Sequence, residues 1–293
     1  MASLIGERTQ EKTAGLTYTV SALAIFGVSF LLLIVMSVAQ ASEKVILYLN
    51  YLAAPIAFLL VGVWYFAYTN TRVKDYAKAQ KCHWKYCLIA ILLQIGLFGL
   101  SEVNGYFLLF LERFGYQPTE IQLPSMEGFG FVGVLLTIAL LPAIMEEFVF
   151  RGIFLEGTKN FSLLARVLIC GGLFALYHQN PAQTIYQFIC GAAFALVAIK
   201  SGSILPTVLS HFINNAVILI LTKLGVESFS PTAYVIILVT AGLCLVGSLV
   251  YLLVLDKSQG EKRKGNYGQF FACAGFGIFM LFLSWCSTFL TGM

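Results

Sequence analysis

The sequence predicts an all-α, polytopic transmembrane helical bundle of eight to nine spans around a polar intramembrane cavity. The first observation is composition. Charged residues are 11% of the 293 and hydrophobic residues 59%, with a mean hydropathy of +0.86; a soluble domain carries about 25% charged residues. The second is patterning. Residues 13–42, 45–71, 128–145, 201–222, 228–255 and 265–293 hold no Asp, Glu, Lys or Arg, and crossing a hydrocarbon core takes about 20 mostly apolar residues. Backbone facing lipid must satisfy its own hydrogen bonds, so such runs are helices. These features exclude a water-soluble enzyme, a disordered chain and a nucleic-acid binder. The lipid bilayer is the expected partner.

The elements follow in order. Spans are expected at 16–39, 45–69, 86–111, 130–155, 163–178, 184–199, 204–223, 231–255 and 269–291. The first ends at Ala39-Gln40-Ala41, which resembles a cleavage site, but its apolar run far exceeds a signal core of about 7–15 residues and reads as a retained helix. Segment 112–129 reads as a loop with a short interfacial helix after Gln117-Pro118-Thr119-Glu120. The fifth and sixth spans are shortest and break at Gln179-Asn180-Pro181; if that pair is re-entrant, the count becomes eight. The chain divides into 1–129, N-terminal spans and loop; 130–223, a catalytic core; and 224–293, C-terminal spans. The seven Cys lie mostly in apolar runs without a C-x-x-C and read as small buried hydrophobes.

Lys and Arg set the orientation. Arg8 and Lys12 precede the first span. Arg72, Lys74, Lys78, Lys81 and Lys85 follow the second, and Lys257, Lys262, Arg263 and Lys264 precede the ninth. With nine spans all three groups share one side, opposite Lys44 and Arg113. That side is expected to be cytoplasmic, in an integral protein of a prokaryotic cell membrane.

Ionisable residues inside spans are costly and usually functional. Glu146-Glu147-Phe148-Val149-Phe150-Arg151 ends an apolar helix after Pro142. Glu147 and Arg151 are one turn apart and can pair, while Glu146 lies about 100° round the helix and is left for chemistry. Of the three histidines, His178 and His211 sit in or at the ends of spans. Phe174 is one turn before His178, and Asn215 one turn after His211, with Asn214 a close competitor. A carboxylate, two imidazoles and an amide on three helices suit hydrolysis: Glu deprotonates water, His orients it, and an amide donates to an oxyanion. His, His and Glu are also a zinc donor set. There is no H-E-x-x-H, no G-x-S-x-G and no intramembrane Asp pair. The same buried groups would also serve a proton- or ion-coupled transporter, although no internal repeat is found.

E-E-x-x-x-R at 146–151, F-x-x-x-H at 174–178 and H-x-x-x-N at 211–215 follow one another on separate helices. This trio resembles the CPBP family, which holds the type II CAAX prenyl proteases and the bacteriocin-processing or immunity (Abi) proteins. The resemblance covers roughly residues 130–223. It implies an intramembrane endopeptidase acting on a membrane-associated or lipidated peptide or protein. Glu146 would activate water, His178 and His211 would orient it, and Asn215 would stabilise the oxyanion. Glu147, Arg151 and Phe174 would be supports. A catalytically idle scaffold of the same family is the other reading. Members are labelled metalloproteases, yet the prenyl proteases have also been read as metal-free glutamate enzymes. A zinc ion would take His178, His211 and Glu146; the lack of an H-E-x-x-H pair favours the metal-free form.

The orientation is open to a direct test. A membrane-impermeant maleimide applied to intact cells is expected to leave Cys82 and Cys87 unlabelled, and ready labelling there would reverse the topology.

Overall fold

The computed structural model describes residues 9–71, 80–119, 121–226, 228–257 and 265–293. These residues form nine helices and no strand. Eight are long and apolar enough to cross a membrane: α1 Gln10–Val38, α2 Glu43–Thr69, α3 Lys85–Glu112, α4 Phe129–Gly157, α6 Pro181–Ser201, α7 Leu205–Lys223, α8 Pro231–Leu255 and α9 Tyr267–Thr291. The remaining helix, α5, spans Leu163–Tyr177. The protein is an integral membrane helical bundle. Ser and Asn side chains fix several starts: Ser162 caps α5, Ser230 caps α8 and Asn266 caps α9, each accepting from a first-turn N–H. The interfacial helix expected after Gln117 does not form among the described residues. Gln117–Thr119 and residues 121–126 are irregular, held by a Gln117 N–H bond to the Gly292 carbonyl and a Tyr51 hydroxyl bond to the Gln122 carbonyl. Glu120 lies outside the described residues.

The connections sort onto two ends. At one end Thr9 bonds Gln269, Asn160 bonds Glu11, and Phe161 stacks on Tyr267. At that same end Gln80 bonds the turn at Gly202 and Ser203. The Tyr86 hydroxyl and the Lys200 ammonium both reach Asp256. The starts of α1, α3, α7 and α9 thus share an end, which we call the near end, and this is the alternation nine spans require. The basic residues Arg8, Arg72, Lys74, Lys78, Lys262, Arg263 and Lys264 lie outside the described residues.

α5 has 15 residues, about 22 Å at 1.5 Å per residue, short of a hydrocarbon core of about 30 Å. It turns back at Gln179–Pro181 into α6, with Gln179 in the left-handed region at φ 52°. Ser284 of α9 bonds the Gln179 side chain, the Trp285 indole bonds Thr184, and the Asn104 amide of α3 bonds the Ala182 carbonyl. Ser284 lies about 10 Å before the end of α9 by helical rise. The tip of the α5–α6 hairpin is therefore sunk below the far end of the bundle, which brings His178 to the depth of the other polar residues.

α4 is not uniform. Two wide, π-type turns, Leu135–Leu140 and Phe148–Phe154, flank the α-helical stretch Leu141–Glu147. Pro142 has no N–H and cannot serve the carbonyl of Ile138, and the Leu141 N–H reaches back to Leu136 instead. Such wide turns are frequent at functional sites.

Close helix approach depends on small residues. A Cβ on Gly96 of α3 would lie 2.7 Å from the backbone of Leu245 in α8, whereas one on Gly242 would meet nothing within 4 Å. Gly96→Val is expected to cost at least the 1–3 kcal/mol typical of overpacking and to lower the melting temperature in detergent. Gly242→Val is the control and should melt with the wild type; equal melting of both variants would contradict this packing.

Candidate active site

The site is assembled by α4, α5 and α7, with α6 behind it. Its centre is a buried ion pair. Glu147 and Arg151 have no exposed side-chain surface, and Arg151 Nη1 donates to Glu147 Oε1 at 2.9 Å. Arg151 Nη2 donates to the Gly191 carbonyl of α6 at 3.0 Å. The guanidinium also lies over the Phe174 ring at 4.3 Å and near Phe194 at 5.5 Å. Hydrogen bonds and aromatic faces offset part of the cost of burying this charge; Arg151 Nε has no hydrogen-bond partner among the described residues.

The same Glu147 oxygen faces Nδ1 of His211 at 3.0 Å. A carboxylate oxygen accepts, so Nδ1 carries a proton and Nε2 is the nitrogen left over, an acceptor when Nδ1 holds the ring's one proton. Nε2 points to Glu146 Oε2, 3.9 Å away. That gap is too long for a hydrogen bond, and Glu146 Oε2 is buried with no hydrogen-bond partner in the protein. Glu147 Oε2 is likewise buried without a hydrogen-bond partner among the described residues. The two carboxylates differ in that Glu147 is held through Oε1 by Arg151 and His211, whereas Glu146 makes no hydrogen bond among the described residues and directs Oε2 at an imidazole.

His178 caps the C-terminus of α5. Its Nδ1 lies 2.9 Å from the Phe174 carbonyl; a carbonyl only accepts, so Nδ1 donates and Nε2 is the nitrogen left over. Phe174 is buried between the two imidazoles, its ring centre 4.7 Å from that of His178 and 6.1 Å from that of His211, both edge-on.

Asn215 does not reach for His211. Its Nδ2 donates to the Ile138 carbonyl of α4 at 3.3 Å, the carbonyl that Pro142 leaves without a donor. Its Oδ1 accepts from Asn214 Nδ2 at 3.1 Å. Asn214 is itself buried and accepts from Gln94 Nε2 at 2.9 Å and from the Tyr186 hydroxyl at 2.8 Å. Gln94 and Tyr186 carry no motif. Their one sequence signal is a polar side chain inside an apolar run.

A metal ion would need His178, His211 and Glu146 at bond distance. Among the described residues no group of three His, Cys, Asp or Glu is arranged to hold one. Glu146 Oε2 and His211 Nε2 are 3.9 Å apart, wider than the roughly 3.3 Å between tetrahedral ligands at zinc bond distances of about 2.0 Å. The residues as placed do not fit a zinc site, so no step is derived through one. An apolar groove of about 410 Å³ lined by Gly172, Ala175, Leu176, Phe188, Phe282 and Trp285 runs along the other face of α5.

Breaking a buried ion pair from one side leaves the other charge stranded, at about 3–5 kcal/mol. Glu147→Gln and Arg151→Met are each expected to lower the thermal unfolding midpoint in detergent by several degrees. Replacing both by apolar residues should recover part of the loss. Wild-type melting of Glu147→Gln would show that the pair does not hold α4 in place.

Residues 128–217 match the family model for type II CAAX prenyl endopeptidase, Rce1-like. No curated protein and no solved structure matches the chain. The matched segment runs from the start of α4 into α7 and contains Glu146, Glu147, Arg151, Phe174, His178, His211 and Asn215. The family is one of proteases, which supports peptide-bond hydrolysis in general. Over this central segment, the chain is similar to the CPBP family of CAAX-type proteases.

Proposed function

We propose that the protein is an intramembrane endopeptidase that hydrolyses a peptide bond of a membrane-associated or lipidated peptide with a water activated by Glu146. The observation that carries this reading is the unpartnered Glu146 Oε2 facing Nε2 of His211 across 3.9 Å. One water within hydrogen-bond distance of both atoms would donate a hydrogen bond to each. Glu146 takes a proton as the water oxygen attacks the carbonyl, and returns it to the leaving amine. Glu147 holds His211 in the required tautomer, a role for which an ionised, fully buried carboxylate is suited. His178 lends Nε2 to orient the water or substrate. Asn215 donates to the oxyanion from one turn further along α7. Phe174 keeps the imidazoles apart and covers the Arg151 charge. The proposed catalytic core is 130–223, flanked by spans at 1–129 and 224–293.

The near end, which holds Lys12, Lys81, Lys85 and Lys257, is the cytoplasmic side in this reading, and the cell membrane is that of a prokaryote. A peptide held at the level of the sunken hairpin tip would be cleaved within the membrane, where water is scarce and each electrostatic contact is strengthened.

Glu146→Gln keeps the shape and removes the base. Turnover should fall by at least about 10²-fold with the melting temperature unchanged. Peptides of membranes from cells making the wild type or Glu146→Gln are compared by mass spectrometry, and new C-termini should appear only with the wild type. Identical peptide sets from the two would end the proposal. The purified wild type is expected to retain activity after chelation. One zinc per chain, lost together with activity in His178→Ala and His211→Ala, would replace the metal-free mechanism.

A further inference from the structure

We infer that Gln94 and Tyr186, acting through Asn214, are positioning residues that lock the Asn215 amide so that one of its N–H bonds remains free for the oxyanion; this rests on the hydrolytic reading above. The hydrogen-bond directions run one way along the whole chain of contacts. The one Ser210 hydroxyl proton is shared between Gln94 Oε1 at 3.1 Å and the Ala90 carbonyl at 3.2 Å. Gln94 Nε2 and the Tyr186 hydroxyl then donate to Asn214 Oδ1. With its oxygen doubly engaged, Asn214 has only its Nδ2 to offer, and this donates to Asn215 Oδ1. At the other end, Asn215 Nδ2 faces the Ile138 carbonyl, which only accepts. The amide of Asn215 is thus fixed from both sides: its oxygen must face Asn214, and its nitrogen must face α4.

An Asn amide nitrogen carries two N–H bonds. Ile138 takes one, which leaves the second on the face of α7 that also carries His211. Flipping the amide would set its oxygen against the Ile138 oxygen and its nitrogen against the Asn214 nitrogen. Gln94 has no exposed surface and Ser210 almost none, so a broken link finds no bulk water to replace it. The three supports come from α3, α6 and α7. Gln94 lies outside the segment that matches the protease family.

The test has a substrate-free arm and a kinetic arm. In protein labelled with ¹⁵N-asparagine, the Asn215 side-chain amide is assigned by its loss in Asn215→Asp, and its hydrogen exchange is measured. Gln94→Leu, and the milder Tyr186→Phe in case the first folds poorly, should each speed that exchange by about fivefold or more, as expected for one lost buried hydrogen bond. Unchanged exchange in a folded variant overturns the inference. In the kinetic arm the probe is a quenched fluorescent peptide with an S-farnesyl cysteine three residues from its C-terminus. Both variants should lower kcat about tenfold with KM within twofold, and neither should add to the loss already caused by Asn215→Ala. A full additional loss in the Asn215→Ala background would show a separate structural effect and contradict the inference. If the wild type and Glu146→Gln treat the probe alike, the probe gives no support to the hydrolytic reading, and the exchange arm still decides whether Gln94 and Tyr186 hold Asn215.

Discussion

Everything in the centre of the bundle depends on one carboxylate, Glu147. It is fully buried, and it is tolerable there only because Arg151 donates to it at 2.9 Å and His211 at 3.0 Å. The Arg151 guanidinium then needs its own partners, which are the Gly191 carbonyl and the faces of Phe174 and Phe194. Through these contacts one ion pair ties α4 to α5, α6 and α7. In the proposed mechanism it also sets the chemistry: with Nδ1 of His211 committed to Glu147, Nε2 is turned toward the neighbouring carboxylate, and Glu146 makes no hydrogen bond among the described residues.

The fold serves that arrangement in two ways. The short α5 and its turn at Gln179–Pro181 set His178 below the far end of the bundle, anchored by Ser284, Trp285 and Asn104. The wide turns on either side of Leu141–Glu147 change the register of α4, so that the Ile138 carbonyl meets Asn215 and the two glutamates meet His211 from one short helical stretch. Strict α-helical geometry through Pro142 would leave that carbonyl without a donor inside the membrane, at a cost of several kcal/mol.

Much of this was legible in the chain. Runs free of charge mark spans because a charged side chain in hydrocarbon is expensive, and α2, expected at 45–69, is found at Glu43–Thr69. The spacing of Glu147 and Arg151 forecast their pairing because one helical turn puts them on the same face. The tilt and depth of α5 were not legible, since they come from contacts with α3 and α9. Nor were the wide turns, which leave no periodic signature. Asn214 and Asn215 are adjacent, and periodicity alone could not say which would be buried and which would meet α4. The Gln94–Asn214 bond joins residues 120 positions apart, and no local pattern announces it.

The central claim is that Glu146 activates a water and does not itself attack the peptide. A single turnover in H₂¹⁸O, with enzyme in excess over a cleavable membrane peptide, separates these directly. Mass spectrometry of both the product and the tryptic peptide holding Glu146 should find one ¹⁸O in the new C-terminal carboxylate and none in Glu146. Label in the Glu146 carboxylate, with an unlabelled product from the first turnover, would mean a covalent acyl-glutamate and would contradict the account.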